Sequence, residues 1–191
     1  LAALRQPLED GVITVTRSGG AVTFPANFML CASMNPCPCG NYGSADRVCT
    51  CTPAAIRKYR ARVSGPLLDR IDIQVEVDTV KYEDLAGAAL EENSAAVKKR
   101  VERAREVQRA RFSGPLTNSD MGERELKKFC LLSRECEEIL RMSFESLKLS
   151  ARARSRIIKV ARTIADMAES ERICPEHILE AVSYRKYDNM S

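Results

Sequence analysis

The chain has 191 residues, of which 45% are hydrophobic and 29% charged, a composition typical of folded proteins and not of disordered ones. Tryptophan is absent and aromatic residues make up 5%, which weighs against a nucleic-acid module built on stacked bases. A net charge of +4 permits contact with phosphate without demanding it. The sequence shows no signal peptide and no apolar run long enough to span a bilayer, so we predict a cytoplasmic protein with no membrane segment.

The first part of the chain mixes helix and strand patterns. Residues 1–9 are typical of the end of a helix, and the start at Leu1 without an initiator Met predicts a piece of a longer protein. Two β-branched runs separated by Ser18-Gly19-Gly20 predict a β-hairpin over residues 12–25. The length of the whole chain allows one domain or two small ones.

A short apolar run at residues 28–35 predicts a strand buried on both faces. It ends at Asn35-Pro36, because proline cannot continue a sheet ladder. Asn35 would then stand at the carboxyl end of the strand, where open α/β sheets bind ligands. The alternative is an ordinary loop asparagine, and the local sequence leaves both interpretations open.

The chain then returns to helix before a last strand pattern. Thr52 and Pro53 are a good cap and first residue for a helix over residues 53–62. Ser64-Gly65-Pro66 breaks that helix, and the alternation of apolar and polar residues over 71–77 predicts a half-buried strand.

Beyond residue 80 the strand patterns stop. The predicted helices span residues 82–90, 94–112, 122–131, 133–147, 151–169 and 175–185. The sequence therefore predicts an α/β part with a β-hairpin and few strands over residues 1–80 and an all-α part over 81–191, mostly helical overall.

Four of the eight cysteines crowd into fifteen residues as two Cys-x-Cys pairs, Cys37 with Cys39 and Cys49 with Cys51. In a reducing compartment such a cluster favours metal binding over disulfides. Four thiolates at short range can close a tetrahedral structural zinc site. Because Cys-x-x-Cys is the commoner zinc spacing, reduced thiols in a surface loop remain the alternative.

Two basic patterns suit an anionic ligand. Arg70 follows a tight turn, and its planar, permanently charged guanidinium matches phosphate, although a pairing with Asp69 or Asp72 explains it equally well. Arg152, Arg156 and Lys159 recur at i, i+4 and i+7 on one helix face, which fits either a phosphate or a solvated face.

The predicted helix 94–112 carries seven basic residues against Glu102 and Glu106. Such a helix fits nucleic acid or another acidic partner, and it also fits a solvated face. His177, the only histidine, has no partner set for chemistry nearby in the sequence and is interpreted as a surface residue.

Several motifs together resemble one family. They are Asn-Pro-Cys-Pro-Cys-Gly (35–40), Cys-Thr-Cys (49–51), Tyr59, Ser-Gly-Pro-Leu-Leu-Asp-Arg-Ile-Asp (64–72) and Lys-Val-Ala-Arg-Thr-Ile-Ala-Asp (159–166). With these motifs the chain resembles the magnesium-chelatase-like AAA+ ATPases, and more narrowly the bacterial branch linked to competence and DNA recombination. The resemblance covers almost the whole chain.

The resemblance implies roles for individual residues. Asn35 matches the sensor-1 asparagine, which orients the attacking water, and Arg70 the arginine finger that reaches the ATP site of the next subunit. Arg152 matches the sensor-2 arginine, which reaches the phosphates of its own subunit, and Arg156 lies on the same face. The hairpin matches the pre-sensor-1 hairpin, which in related motors points toward a central pore.

The resemblance also implies the assembly. Residues 1–80 would be the carboxyl-terminal part of an AAA+ nucleotide-binding core and 81–191 its helical lid. The expected cofactor is ATP with Mg²⁺, and the expected partners are DNA and further copies of the protein in a ring, a hexamer. The alternatives are the motor of a magnesium-insertion complex and a non-catalytic, zinc-stabilised nucleic-acid-binding module.

One absence bears on activity. The sequence contains no Gly-x-x-x-x-Gly-Lys-Ser/Thr loop and no apolar strand ending in paired acids, the features that hold triphosphate and Mg²⁺. Both are expected upstream of Leu1. We therefore expect an ATP hydrolase only in the full-length protein.

Overall fold

The structure is a computed structural model, and it describes residues 2–44, 46–63, 65–77 and 92–185. The chain divides into two compact units, the first running to Ile71 and the second beginning at Asp72. The predicted helix at 82–90 lies outside the described residues.

The first unit opens with a short helix and a hairpin. A 3₁₀ turn at Ala2–Leu4 leads into α1 (Arg5–Asp10). Strands β1 (Val12–Arg17) and β2 (Gly20–Pro25) pair antiparallel, which confirms the predicted hairpin.

The hairpin has one apolar face. The register places Ile13 opposite Phe24 and Val15 opposite Val22. Each of these four side chains is more than 40% exposed. Two-stranded hairpins are marginal by themselves in water, so this face has the character of a surface that packs against something else.

Two further helices complete the first unit. In α2 (Pro53–Arg60), the Thr52 side chain accepts a hydrogen bond from the Ala55 N–H at 3.2 Å, as predicted for the cap. The short α3 spans Gly65–Leu68. Among the described residues of this unit four apolar side chains are buried, those of Pro7, Cys37, Ile56 and Leu67.

The two other predicted strands do not form among the described residues. Neither 28–35 nor 71–77 pairs with a strand among the described residues, and both segments are irregular and largely exposed. Met29 is 92% exposed and Val77 85%. An apolar run becomes a strand only when a neighbour satisfies its backbone groups, and the described part of the chain offers a sheet of β1 and β2 alone.

The second unit is helical, as predicted. It contains α4 (Ser94–Phe112), α5 (Glu123–Phe129), α6 (Arg134–Leu147), α7 (Ala151–Met167) and α8 (Pro175–Ser183). Each boundary lies within two residues of its prediction. Asn93, Ser133 and Ser150 cap their helices by accepting backbone N–H groups, so local signals define these starts.

Helix α7 is the centre of the second unit and packs against α4, α5 and α8. Its inward face carries Ala153, Ile157, Ala161 and Ala165, each at most 1% exposed. Small side chains on that face let the neighbouring helices approach closely. A single cluster of buried apolar residues therefore stabilises this unit.

A buried polar network joins α7 to α4. The Asp166 carboxylate is fully buried and accepts hydrogen bonds from Arg111 at 2.7 Å, Asn118 at 2.8 Å and Arg162 at 3.0 Å. Arg111 had been grouped with the basic residues of α4, but its guanidinium turns inward to this carboxylate. The network satisfies two nearly buried guanidinium groups at once.

His177 is not a surface residue, contrary to the prediction. It is 5% exposed, and its Nδ1 accepts the Cys174 N–H at 3.0 Å. The imidazole caps the start of α8 from the third helical position, a role that sequence context did not reveal.

In the part of the chain that the structure describes, each helix is too short or too polar to traverse a bilayer.

Replacement of the buried acid tests the network. Asp166→Ala leaves Arg111 and Arg162 without their shared carboxylate, and we expect a loss of about 3–5 kcal/mol in the free energy of unfolding. Denaturant unfolding followed by circular dichroism measures it. Glu138→Ala, which removes an exposed ion pair with Arg141, is the control and should cost less than about 1 kcal/mol. Equal losses in both variants would contradict this account.

Candidate functional site

The four clustered cysteines meet in space. Their sulfur atoms all lie within 4.8 Å of one another. The Sγ of Cys37 is 3.3 Å from that of Cys39 and 3.7 Å from that of Cys49, and the sulfurs of Cys39 and Cys49 are 3.6 Å apart. In a tetrahedron with Zn–S bonds of about 2.3 Å the sulfurs lie about 3.8 Å apart. The donor set therefore fits a Zn²⁺ ion.

The backbone of the loop supports this geometry. The Gly40 N–H donates to the Cys37 carbonyl at 3.0 Å and closes a tight turn. Gly40 has a φ of 81°, in the left-handed region, so glycine is needed at this turn.

Backbone N–H groups donate hydrogen bonds to the sulfurs of Cys37 and Cys39 and favour the thiolate form, which binds a cation. Hydrogen bonds from the backbone of Asn41 and of Thr50 lower the pKa of Cys39 to about 5. Burial acts to raise the pKa of Cys37, but hydrogen bonds that include one from the Tyr42 backbone leave it lowered. These two thiols therefore ionise readily.

The other two thiols hold their protons more tightly. Burial raises the pKa of Cys51 to about 12. At Cys49 the backbone hydrogen bond from Cys51 is outweighed by burial and by the neighbouring sulfurs, and the pKa is raised. A metal that binds all four sulfurs must displace these protons, so its affinity should increase with pH.

Asn35 stands directly beside the cysteine cluster. It is exposed and lines a shallow cavity of about 320 Å³ together with Ser33, Met34 and Tyr59. A Cβ added at Gly40 would lie 3.9 Å from the Asn35 Nδ2, so the amide packs against the cysteine turn. The sequence had placed Asn35 at the end of a strand, and in the described structure it is anchored to a loop instead.

Arg70 lies just after α3 and forms an ion pair with Glu9 of α1. Its side chain is 11% exposed. The sequence suggested Asp69 or Asp72 as the partner of Arg70, but Asp72 forms an ion pair with Arg156. Glu9 is 61 positions away in the chain, which is why no local pattern pointed to it.

The basic stripe of α7 belongs to the second unit. Arg152 is exposed in the first turn of the helix. The Nη1 of Arg156 is 2.6 Å from the Asp72 carboxylate, and the Lys159 amine donates to the Ser119 carbonyl at 2.8 Å. Burial lowers the pKa of Lys159, with the charge of Arg156 adding to the effect. Arg156 and Lys159 therefore each contact another part of the second unit.

Sequence reasoning missed one residue of the site. Arg60, the last residue of α2, donates from Nε to the Pro36 carbonyl at 3.2 Å, and its guanidinium carbon lies 4.7 Å from the centre of the Tyr42 ring. Both partners belong to the cysteine loop. These contacts depend on the path of the cysteine loop in three dimensions, so the helical sequence pattern around Arg60 could not predict them.

Comparison with known proteins identifies the family. The family model for magnesium chelatase, subunit ChlI, matches residues 1–85, and the model for the ChlI C-terminal region matches residues 91–185. The chain belongs to the magnesium-chelatase-like family. Together the two matches cover both units and confirm the resemblance found in the sequence.

The relatives are longer than this chain. It is 42% identical over 192 residues to the uncharacterized protein YifB of Salmonella typhimurium and of Escherichia coli, and it is 40% identical over 187 residues to the competence protein ComM of Haemophilus influenzae. These alignments cover 97–100% of the chain but 36–37% of the relatives, so the chain spans little more than a third of their length.

A zinc measurement tests the cysteine cluster. We expect about one zinc per chain in protein purified without chelator, because four converging sulfurs form a closed tetrahedral site. Cys39→Ser removes one ligand and should strongly reduce the zinc content measured by atomic absorption. Cys31→Ser alters an exposed cysteine outside the cluster and should retain the metal. Less than about a tenth of a zinc per chain in the unmodified protein would refute the site.

Proposed function

We propose that this chain is the carboxyl-terminal part of a ring-forming AAA+ ATPase of the magnesium-chelatase-like family, which couples ATP hydrolysis to the remodelling of DNA. The observation that carries the proposal is the match of both family models over residues 1–85 and 91–185. Similarity to a protein named for competence directs the choice of DNA as the substrate.

The proposal explains why two apolar segments of the first part of the chain are exposed. Residues 28–35 and 71–77 have the composition of strands, yet lie largely exposed in the described structure. In the full-length protein they would pair with strands from the remainder of the chain and form the α/β core. The length of the relatives leaves room for that core and for its phosphate-binding loop.

In this mechanism Asn35 orients the water that attacks the γ-phosphate. Its amide is exposed and borders a cavity whose other lining residues, Ser33, Met34 and Tyr59, are uncharged. A neutral amide can donate to a phosphate oxygen and accept from water in the same geometry. ATP with Mg²⁺ supplies the transferred phosphoryl group, and this chain supplies positioning and charge.

Arg70 would act as the arginine finger on the neighbouring subunit. Phosphoryl transfer concentrates negative charge on the phosphate oxygens, and a guanidinium stabilises that charge. The ion pair with Glu9 holds the guanidinium until a triphosphate competes for it. Arg152, exposed on the first turn of α7, would contact the phosphates of its own subunit, with Arg156 beside it.

Zinc has a structural role in this proposal. Cys37, Cys39, Cys49 and Cys51 would use all four positions of a tetrahedral ion, which leaves none for a catalytic water. The metal would stabilise the loop that follows Asn35.

A second candidate is the motor of a magnesium-insertion complex, which the description of the matching family favours. The two proposals differ in what stimulates turnover. ATP hydrolysis by the full-length protein that increases with branched DNA supports the first, and indifference to DNA supports the second.

The arginine finger gives the sharpest test of the motor. Arg70→Ala in the full-length protein should lower ATP turnover on the order of 10³-fold, because the transition-state charge loses its counterion, while ATP binding persists. Steady-state hydrolysis and a fluorescent-nucleotide binding assay measure the two effects. Arg62→Ala, an exposed arginine in the same unit, is the control. Turnover of Arg70→Ala at the level of the control would exclude this role.

A further inference from the structure

Arg60 links helix α2 to the cysteine loop at two points. Its Nε donates to the Pro36 carbonyl at 3.2 Å, and its guanidinium stacks on the ring of Tyr42 at 4.7 Å. The residue is half-buried. Guanidinium stacking combined with a directed hydrogen bond restrains a group in both distance and orientation.

The restrained carbonyl lies next to Asn35 in the chain. Pro36 is the single residue between Asn35 and Cys37, and its ring limits the backbone on both sides. Cys37 is fully buried in the cluster, and the Asn35 amide packs beside Gly40 of the same turn. A displacement of Pro36 therefore moves Asn35.

We propose that Arg60 is a positioning residue for Asn35, which it holds in the orientation required for hydrolysis by anchoring the Pro36 carbonyl to α2. This inference rests on the proposed function of Asn35. Asn35 is exposed, and its amide packs beside Gly40, so its orientation depends on the turn that carries it.

The geometry separates this role from metal binding. The metal donors are the four cysteine sulfurs, and the turn between Cys37 and Gly40 is closed by the Gly40 N–H. Loss of Arg60 should leave the zinc in place while the Asn35 amide is misaligned. An error of about 1 Å in a positioning group costs up to about a hundredfold in rate.

The test uses the full-length protein with four single variants, Arg60→Ala, Arg60→Lys, Asn35→Ala and Arg57→Ala. We expect Arg60→Ala to lower kcat about ten- to a hundredfold with KM changed less than about twofold and with the zinc content unchanged. Arg60→Lys should not restore kcat, because an ammonium lacks the Nε–H and the planar face. Arg57→Ala changes an exposed arginine of the same helix and should behave as wild type.

The double variant Arg60→Ala/Asn35→Ala shows whether Arg60 acts through Asn35. If it does, the double variant is no slower than Asn35→Ala alone. Wild-type kcat in Arg60→Ala, full rescue by lysine, loss of zinc, or multiplied effects in the double variant would each overturn the inference while leaving the ATPase intact. Absence of ATP turnover in the wild-type protein would instead refute the proposed function, and this inference with it.

Discussion

The convergence of four cysteine sulfurs is the interaction on which the first unit depends. Among its described residues only Pro7, Cys37, Ile56 and Leu67 are buried apolar side chains, too few to fix a polar loop by the hydrophobic effect. A metal bound by these four sulfurs would replace that missing core, because binding energy becomes folding energy when the ligands converge only in the folded chain. The loop that carries Asn35 would thereby acquire a rigid base.

The second unit is stabilised instead by a core of buried apolar side chains. The small inward face of α7 lets the neighbouring helices α4, α5 and α8 approach closely and bury a continuous apolar cluster. The buried charges of this unit include the Asp166 carboxylate, which Arg111, Arg162 and Asn118 satisfy. The motif at 159–166 that helped to identify the family thus contributes to internal structure, because Arg162 and Asp166 face inward one turn apart. The exposed Arg152 carries the candidate chemistry of that helix.

The candidate nucleotide-contacting groups are held by different means. Asn35 is positioned by its loop, and Arg70 is held near the surface of its unit by the carboxylate of Glu9. An arginine that acts on a neighbouring subunit requires a temporary partner, since an unpaired guanidinium that is 11% exposed would be poorly solvated. The Glu9 pair meets that requirement, and in the proposed role of Arg70 it would yield to a triphosphate bound in a neighbouring site.

Local physics explains what could be predicted from the sequence. The described helices of the second unit were located to within two residues, because caps such as Asn93 and Ser150 and a 3.6-residue apolar period act over one or two turns. The hairpin and the cysteine set also followed from spacing alone. Tertiary structure decided the rest: the strands at 28–35 and 71–77 lack partners among the described residues, and His177 is buried as a cap. Glu9 meets Arg70 across 61 positions and Arg60 meets Pro36 across 24, contacts that no local pattern encodes because the intervening chain must first fold.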